Sequence, residues 1–274
     1  MPKLKTVFYQ LSGSVSLKTV IQKFKYWYLL SVPPVATILA FAVGHVDSKV
    51  YIPIWLLNAL IMIWAVKGRH QIIWYFVIPW LLIAIFGGMG PPPETPAAWA
   101  ALALEQQIRY TILITSGILM AIGFWRVNES LAGTSGRRYA KYSKVLFLVA
   151  LPLFVMNMAY WGFYLTQVFV SGHRPEWHKT LGVIATGVRM TEVALIYLAT
   201  AALARALLLA ERLSNTSALI YIGFSFMLAV LNFLPSSASG LLAILNYLSY
   251  IPAFTLLIPY LIAVNLFLKM ERES

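Results

Sequence analysis

The chain contains no cysteine. Disulfide bonds, thiolate catalysis, iron–sulfur ligation and cysteine-ligated zinc are therefore excluded. Charged residues are also scarce, at 11% of 274 positions, whereas a soluble domain carries about 25%. Because 60% of the residues are apolar and 14% are aromatic, the composition excludes both a water-soluble globule and a disordered chain. It predicts an all-α, polytopic integral membrane protein.

Long apolar stretches divide most of the chain into candidate membrane spans. A helix needs about 20 largely apolar residues to cross the hydrocarbon core of a bilayer. Eight stretches qualify: 26–44, 51–66, 71–88, 110–125, 145–170, 180–204, 218–234 and 241–268. Residues 26–274 are therefore predicted to form a single transmembrane helical bundle.

The first 25 residues follow a different pattern from the rest. Apolar residues recur there at helical spacing with lysines between them, as in Leu17, Val20, Ile21 and Phe24. This pattern is typical of a basic amphipathic helix that lies in the headgroup layer of the inner leaflet. Residues 1–25 are predicted to form such a helix, and the simplest role for it is a topology anchor.

Acidic residues are few, with 9 Asp and Glu against 21 Lys and Arg, so the formal net charge is +12. When the spans are threaded in order, most basic residues fall on one side: Lys3, Lys5, Lys18, Lys23, Lys25, Lys67, Arg69, Arg126, Arg137, Arg138, Lys141, Lys144, Arg205, Arg212, Lys269 and Arg272. Eight of the acidic residues divide evenly between the two sides, and Glu192 lies within a span. By the positive-inside rule, both termini are predicted to be cytoplasmic.

This placement explains the basicity without a nucleic-acid partner. The expected partners are anionic lipids of the inner leaflet and other membrane subunits, and the expected location is a prokaryotic cytoplasmic membrane. The basic loop over 126–144 contains Gly133-Thr134-Ser135-Gly136, which could hold a phosphate or a lipid headgroup. A solvated positive-inside loop is the simpler interpretation.

Several kinds of chemistry lack their residues. The four histidines fall in predicted loops, so haem b would have no axial ligands within the spans: His45, His70, His173 and His178. No lysine lies within a predicted span to form a retinal Schiff base, and no Walker A, H-E-x-x-H or paired-aspartate motif occurs. No catalytic residue and no metal ligand are assigned, and no covalent cofactor is expected. A bound quinone or lipid remains open.

Only two ionisable residues lie within the predicted spans. Arg189 and Glu192 are three positions apart, so they share one face of the sixth span near the middle of the membrane. A charged group at that depth costs several kcal/mol and needs a compensating partner. The pair is therefore the leading candidate for a functional site.

The preceding span carries a polar and aromatic face that could meet this pair. Its members recur at helical spacing: Asn157, Tyr160, Trp161 and Tyr164. The two spans are joined by a turn near residue 175, and in such an antiparallel hairpin Asn157 is level with Glu192 and Trp161 with Arg189. Tyr197 and Asn232 could extend the same cluster.

The cluster has two interpretations. In the structural one, Arg189 and Glu192 neutralise each other and Asn157 completes their hydrogen bonds, so that the cluster only fixes helix packing. In the functional one, aromatic walls and polar groups form a pocket for a flat amphipathic ligand or a proton relay.

Three functions follow from the functional interpretation. The first is a membrane subunit of an energy-transducing or electron-transport complex that holds a quinone or lipid but no redox centre of its own. The second is a secondary transporter or channel that uses Arg189 and Glu192, with prolines supplying helix breaks. The third is a lipid-modifying enzyme, for which no nucleophile–base pair or metal-binding motif is visible.

Overall fold

The computed structural model describes residues 17–42, 46–68, 71–233, 240, 246–247, 249 and 251–270. Within these ranges the regular structure is helical, which confirms the all-α prediction. The helices are α1 (Leu17–Ala42), α2 (Ser48–Val66), α3 (Trp74–Ile83), α4 (Phe86–Met89), α5 (Pro96–Ala101), α6 (Ala103–Ser130), α7 (Arg137–Ala159), α8 (Thr166–Ser171), α9 (His178–Leu209), α10 (Asn215–Leu231) and α11 (Pro252–Met270). A 3₁₀ turn (Gln71–Ile73) precedes α3, and a π-helix (Tyr160–Leu165) joins α7 to α8.

Five helical segments are long and apolar enough to cross a membrane: Ser48–Val66, Gln71–Met89, Ala103–Ser130, Arg137–Ser171 and His178–Leu209. Two further apolar helices, Asn215–Leu231 and Pro252–Leu266, are shorter. The five long segments coincide with the second to sixth of the predicted spans. They are typical of an integral membrane protein.

Two helix boundaries differ from the sequence-based prediction. Helix α1 begins at Leu17 and continues through residue 25 into the first predicted span, while residues 1–16 lie outside the described residues. The alanine-rich stretch over 97–107 predicts one short surface helix, but the structure divides it at Leu102, and α6 begins at Ala103. The side chain of Thr95 accepts a hydrogen bond from the Ala98 amide and caps α5, so the short helix has its own start.

Short turns arrange α6, α7–α8, α9 and α10 as successive hairpins, and α9 packs most extensively against α7 and α10. Aromatic side chains fill the space between the helices. The rings of Phe124 and Phe147 stack with centroids 4.3 Å apart, and those of Trp80 and Tyr260 lie 5.7 Å apart. The hydroxyl of Tyr260 donates to the Leu29 carbonyl at 2.7 Å, so the last helix is tied to the first.

The glycine-rich turn between α6 and α7 packs against the end of α9. A side chain at Gly136 would overlap the carbonyl of Ala206, and the Ser135 hydroxyl donates to the Leu209 carbonyl. Arg212 completes this end of the bundle by donating to the Ser130 carbonyl at 3.1 Å. These contacts give the turn a structural role in closing helix ends.

Apolar side chains also cover the outside of the bundle. Helix α2 is the clearest case, with Leu57 60% and Leu60 64% exposed, and α9 exposes Val183 at 74%. Water would disfavour such a surface, whereas lipid chains solvate it at no cost. The exposed surface therefore agrees with the composition in indicating a membrane environment.

Candidate functional site

A cavity of about 590 Å³ lies between α6, the π-helix region and α9, and the proline-rich segment 91–94 forms one of its sides. Its walls include Trp99, Tyr110, Asn157, Trp161, Arg189 and Tyr247. We refer to it as the aromatic cavity. Its size falls in the range of ligand-binding pockets, and its walls combine apolar rings with a few polar groups, as such pockets usually do.

Four aromatic side chains line this cavity, and those of Trp99, Tyr110 and Trp161 come from three different elements. The ring of Trp99 in α5 lies 6.3 Å from that of Tyr110 in α6 and 6.3 Å from that of Trp161 in the π-helix. The indole nitrogen of Trp99 donates to the Thr166 hydroxyl at 2.9 Å, which fixes the ring in place. Helix α5 is therefore a wall of the cavity, and Trp99 is only 5% exposed.

Glu192 and Asn157 meet behind the cavity wall. Both are buried, at 1% and 3% exposure, and the Asn157 amide is close enough to interact with the Glu192 carboxyl group. Oδ1 of Asn157 and Oε2 of Glu192 have no hydrogen-bond partner among the residues that the structure describes. Asn157 lines the cavity, so its free acceptor favours a ligand that can donate a hydrogen bond.

Arg189 lies one helical turn from Glu192 and is close enough for an electrostatic interaction with it. The side chain is half-buried and lines the aromatic cavity together with Trp161. It also lines a smaller space of about 150 Å³ between Tyr160, Gly182 and Thr186. A guanidinium group between two cavities can donate hydrogen bonds to a carbonyl, phosphate or carboxylate oxygen.

The structure brings together most of the predicted site residues. Asn157, Trp161 and Arg189 line the aromatic cavity, Tyr160 lines the smaller space, and Glu192 lies behind Asn157. The two spans thus adopt the register that the hairpin predicts.

Tyr164 and two other residues lie elsewhere. The Tyr164 ring contacts that of Trp177 at 5.3 Å, and its hydroxyl is 3.1 Å from Nδ1 of His178. Tyr197 donates to the Ser249 carbonyl at 2.9 Å, and Asn232 donates to the Met190 carbonyl at 2.7 Å. Neither Tyr197 nor Asn232 lines the aromatic cavity. Their hydrogen bonds instead tie α9 to other parts of the chain.

Arg109 is a second buried charged residue among those that the structure describes, and it lies just before the predicted span 110–125. It is 5% exposed, its guanidinium group lies 3.3 Å from the Glu105 carboxylate, and it lies over the Phe86 ring at 5.2 Å. It lines a space of about 80 Å³ that shares Tyr110 with the aromatic cavity. The spacing of Glu105 and Arg109 at i and i+4 was the signal for a helix start before residue 110.

Stacking surfaces, a guanidinium donor and unpartnered acceptors suit a flat, amphipathic ligand. Among the described residues, no group of three His, Asp or Glu side chains could hold a metal ion. His178, the first residue of α9, contacts Tyr164. In comparisons with known proteins, no family model matches the chain, and no curated protein or solved structure is similar to it.

Proposed function

We propose that this chain is a multi-pass membrane protein that binds an amphipathic ligand with a flat ring headgroup, of the quinone or lipid-like class. The observation that carries this proposal is the aromatic cavity, in which Trp99, Tyr110 and Trp161 surround one space with Arg189 and Asn157. The two polar residues come from neighbouring helices, so the hairpin of α7–α8 and α9 builds the polar part of the site.

Each part of a quinone headgroup has a counterpart in this cavity. The ring can stack on the indole or phenol faces, and a carbonyl oxygen can accept a hydrogen bond from Arg189. A hydroxyl of the reduced ring can donate to Oδ1 of Asn157, to which no described residue donates a hydrogen bond. The cavity therefore offers hydrogen bonds to both the oxidised and the reduced headgroup.

The chain would act within a larger complex. It has no cysteine, so it cannot ligate an iron–sulfur cluster through thiolates. Electrons that reduce a bound quinone would come from partner subunits, and electrons that leave the reduced form would pass to partner subunits. We further propose that all eight predicted spans cross a prokaryotic cytoplasmic membrane, with both termini on the cytoplasmic side.

Binding of ubiquinone-1 to the purified chain in lipid nanodiscs tests the ligand class. Equilibrium dialysis should detect saturable binding, and Trp161→Leu and Arg189→Gln should each raise the dissociation constant by about tenfold, the effect of losing ~1.4 kcal/mol. Trp125→Leu and Arg126→Gln are matched controls, because both residues are exposed at the opposite end of α6 from the cavity.

Absence of saturable binding would contradict the proposal, and so would equal losses in the site and control variants. Copurification from native membranes tests the partner subunits separately. Redox-active chains that remain bound through purification would support membership of an electron-transport complex. Glu192-dependent uptake in proteoliposomes without quinone binding would instead favour a transporter.

A further inference from the structure

Another large open space lies on the side of the bundle, at the opposite end from the aromatic cavity. This groove has a volume of about 700 Å³ and runs between the first half of α7, the second half of α9 and α10. Tyr139, Lys141, Tyr142 and Arg205 line one part of it, and Val145 and Leu198 are among the apolar residues of the rest. We refer to it as the lateral groove.

The polar and apolar parts of the lateral groove are ordered by depth. Lys141 and Arg205 each lie four residues from a helix end, Arg137 and Leu209 respectively, or about 6 Å along the axis at 1.5 Å per residue. Val145 and Leu198 lie about 12 and 17 Å from the same ends by the same rise. The charged part thus falls at headgroup depth and the apolar part at acyl-chain depth.

The basic residues at the mouth of the groove have no carboxylate partner among the described residues. Among the residues that the structure describes, neither Lys141 nor Arg205 forms a salt bridge, and the Glu129 carboxylate at this end is paired with Arg126 at 3.1 Å. Arg205 lies 5.9 Å from the Tyr139 ring, and Nε of Arg138 donates to the Tyr142 hydroxyl at 3.0 Å. The tyrosines therefore hold two guanidinium groups close to the mouth.

We propose that the lateral groove binds an anionic glycerophospholipid of the adjacent leaflet. Its phosphate would lie between Lys141 and Arg205, and one acyl chain would follow the apolar wall past Val145 and Leu198. The occupant is a lipid because the groove opens sideways through exposed apolar side chains, where a membrane protein meets the bilayer. It is anionic because the mouth presents positive charge and lacks a lining carboxylate.

Native mass spectrometry of the full chain in detergent tests this site, with dioleoylphosphatidylglycerol and dioleoylphosphatidylcholine as probes. The first retained phosphatidylglycerol should bind at least about tenfold more tightly than phosphatidylcholine, since each basic residue near a headgroup adds attraction. The double variant Lys141→Gln/Arg205→Gln should abolish this preference and leave phosphatidylcholine binding unchanged. The conservative double variant Lys141→Arg/Arg205→Lys should keep it.

A matched control removes the same charge from the same end of the molecule but outside the groove. Lys23 and Lys67 are exposed, and the contact of Lys25 with the Trp64 ring at 4.3 Å brings their helix ends together. Lys23→Gln/Lys67→Gln should leave the lipid preference intact. Equal loss in this control, or equal binding of the two lipids by the unmodified chain, would overturn the proposal.

The apolar wall has its own test. Ala202 lines the lateral groove and is half-buried, so a phenylalanine there would fill space that the acyl chain needs. Ala202→Phe should weaken retention of phosphatidylglycerol by several-fold while the melting temperature stays within a few degrees. Unchanged retention in a folded Ala202→Phe variant would contradict the acyl position and the proposal with it.

Discussion

The Glu192 carboxyl group lies among apolar helices, and its surroundings determine what a substitution there does. It interacts with the Asn157 amide, which is itself buried. Removing a buried partner leaves the other group unsatisfied, at a cost of ~1–3 kcal/mol. A substitution that keeps the shape and one hydrogen bond avoids most of that cost.

Glu192 variants should therefore separate packing from ligand binding. We expect Glu192→Ala to lower the free energy of unfolding by ~1–3 kcal/mol, because Asn157 loses its partner and a cavity forms. Glu192→Gln should fold with a nearly unchanged melting temperature and yet bind ubiquinone-1 more weakly. Thermal unfolding and equilibrium dialysis of the purified variants measure the two effects.

Glu176→Gln is the control for these variants, because Glu176 is an exposed carboxylate in the turn before α9. It should change neither stability nor binding. Misassembly of Glu192→Gln would contradict the functional interpretation and would make the cluster a packing device.

Residue-level prediction from the sequence worked where a hairpin sets the geometry. The antiparallel register of two long spans is enough to place Asn157 beside Glu192 and Trp161 beside Arg189. The positions of Trp99 and Arg109 depend instead on how α5 and the start of α6 pack against the rest of the bundle. Helical periodicity carries no information about such long-range contacts, so the burial of these two residues could not be predicted from it.

At the scale of the helix, the π-helix at Tyr160–Leu165 shapes the site. A π-helical turn contains one residue more than an α-helical turn, so the residues beyond it are rotated relative to an uninterrupted helix. Tyr164 lies within this turn, where its ring stacks on that of Tyr160 at 5.5 Å and contacts His178 and Trp177 instead of lining the aromatic cavity. The sequence predicted a continuous helix there because π-turns have no strong residue signature.

Gly162 allows the π-helix to approach α6. A side chain at this position would overlap that of Tyr110, which lines the aromatic cavity. We expect Gly162→Ala to destabilise the fold by ~1–3 kcal/mol through overpacking and to weaken ubiquinone-1 binding by moving Tyr110. Thermal unfolding and dialysis measure both.

Gly187→Ala is the matched control for Gly162→Ala. Gly187 also lies in a helix, but a side chain there would meet nothing within 4 Å. Since alanine is the better helix former, this variant should be as stable as the unmodified chain or up to ~1 kcal/mol more stable. Equal destabilisation by the two substitutions would contradict the close approach of the π-helix to α6.

At the scale of the whole molecule, hydropathy and charge predict more of the structure than they do at the scale of individual contacts. Five helices of the described residues match the second to sixth predicted spans, because each needs only a long apolar run, a property of the sequence itself. Helix α1 begins before its span because lysines at the membrane surface do not end a helix. The number of crossings and the side of each terminus depend on the bilayer, so they require an experiment on membranes.

The chain has no cysteine, so the topology can be tested by labelling single introduced cysteines, each of which is the only thiol in the chain. We expect His173→Cys, in the exposed turn before α9, to react with a membrane-impermeant maleimide in intact cells. Thr134→Cys in the opposite turn should react only after permeabilisation, and so should Lys3→Cys and Ser274→Cys near the termini, which lie outside the described residues. Labelling of Ser274→Cys but not Lys3→Cys in intact cells would mean an odd number of crossings. It would contradict the positive-inside topology, because an even number keeps both basic ends in the cytoplasm.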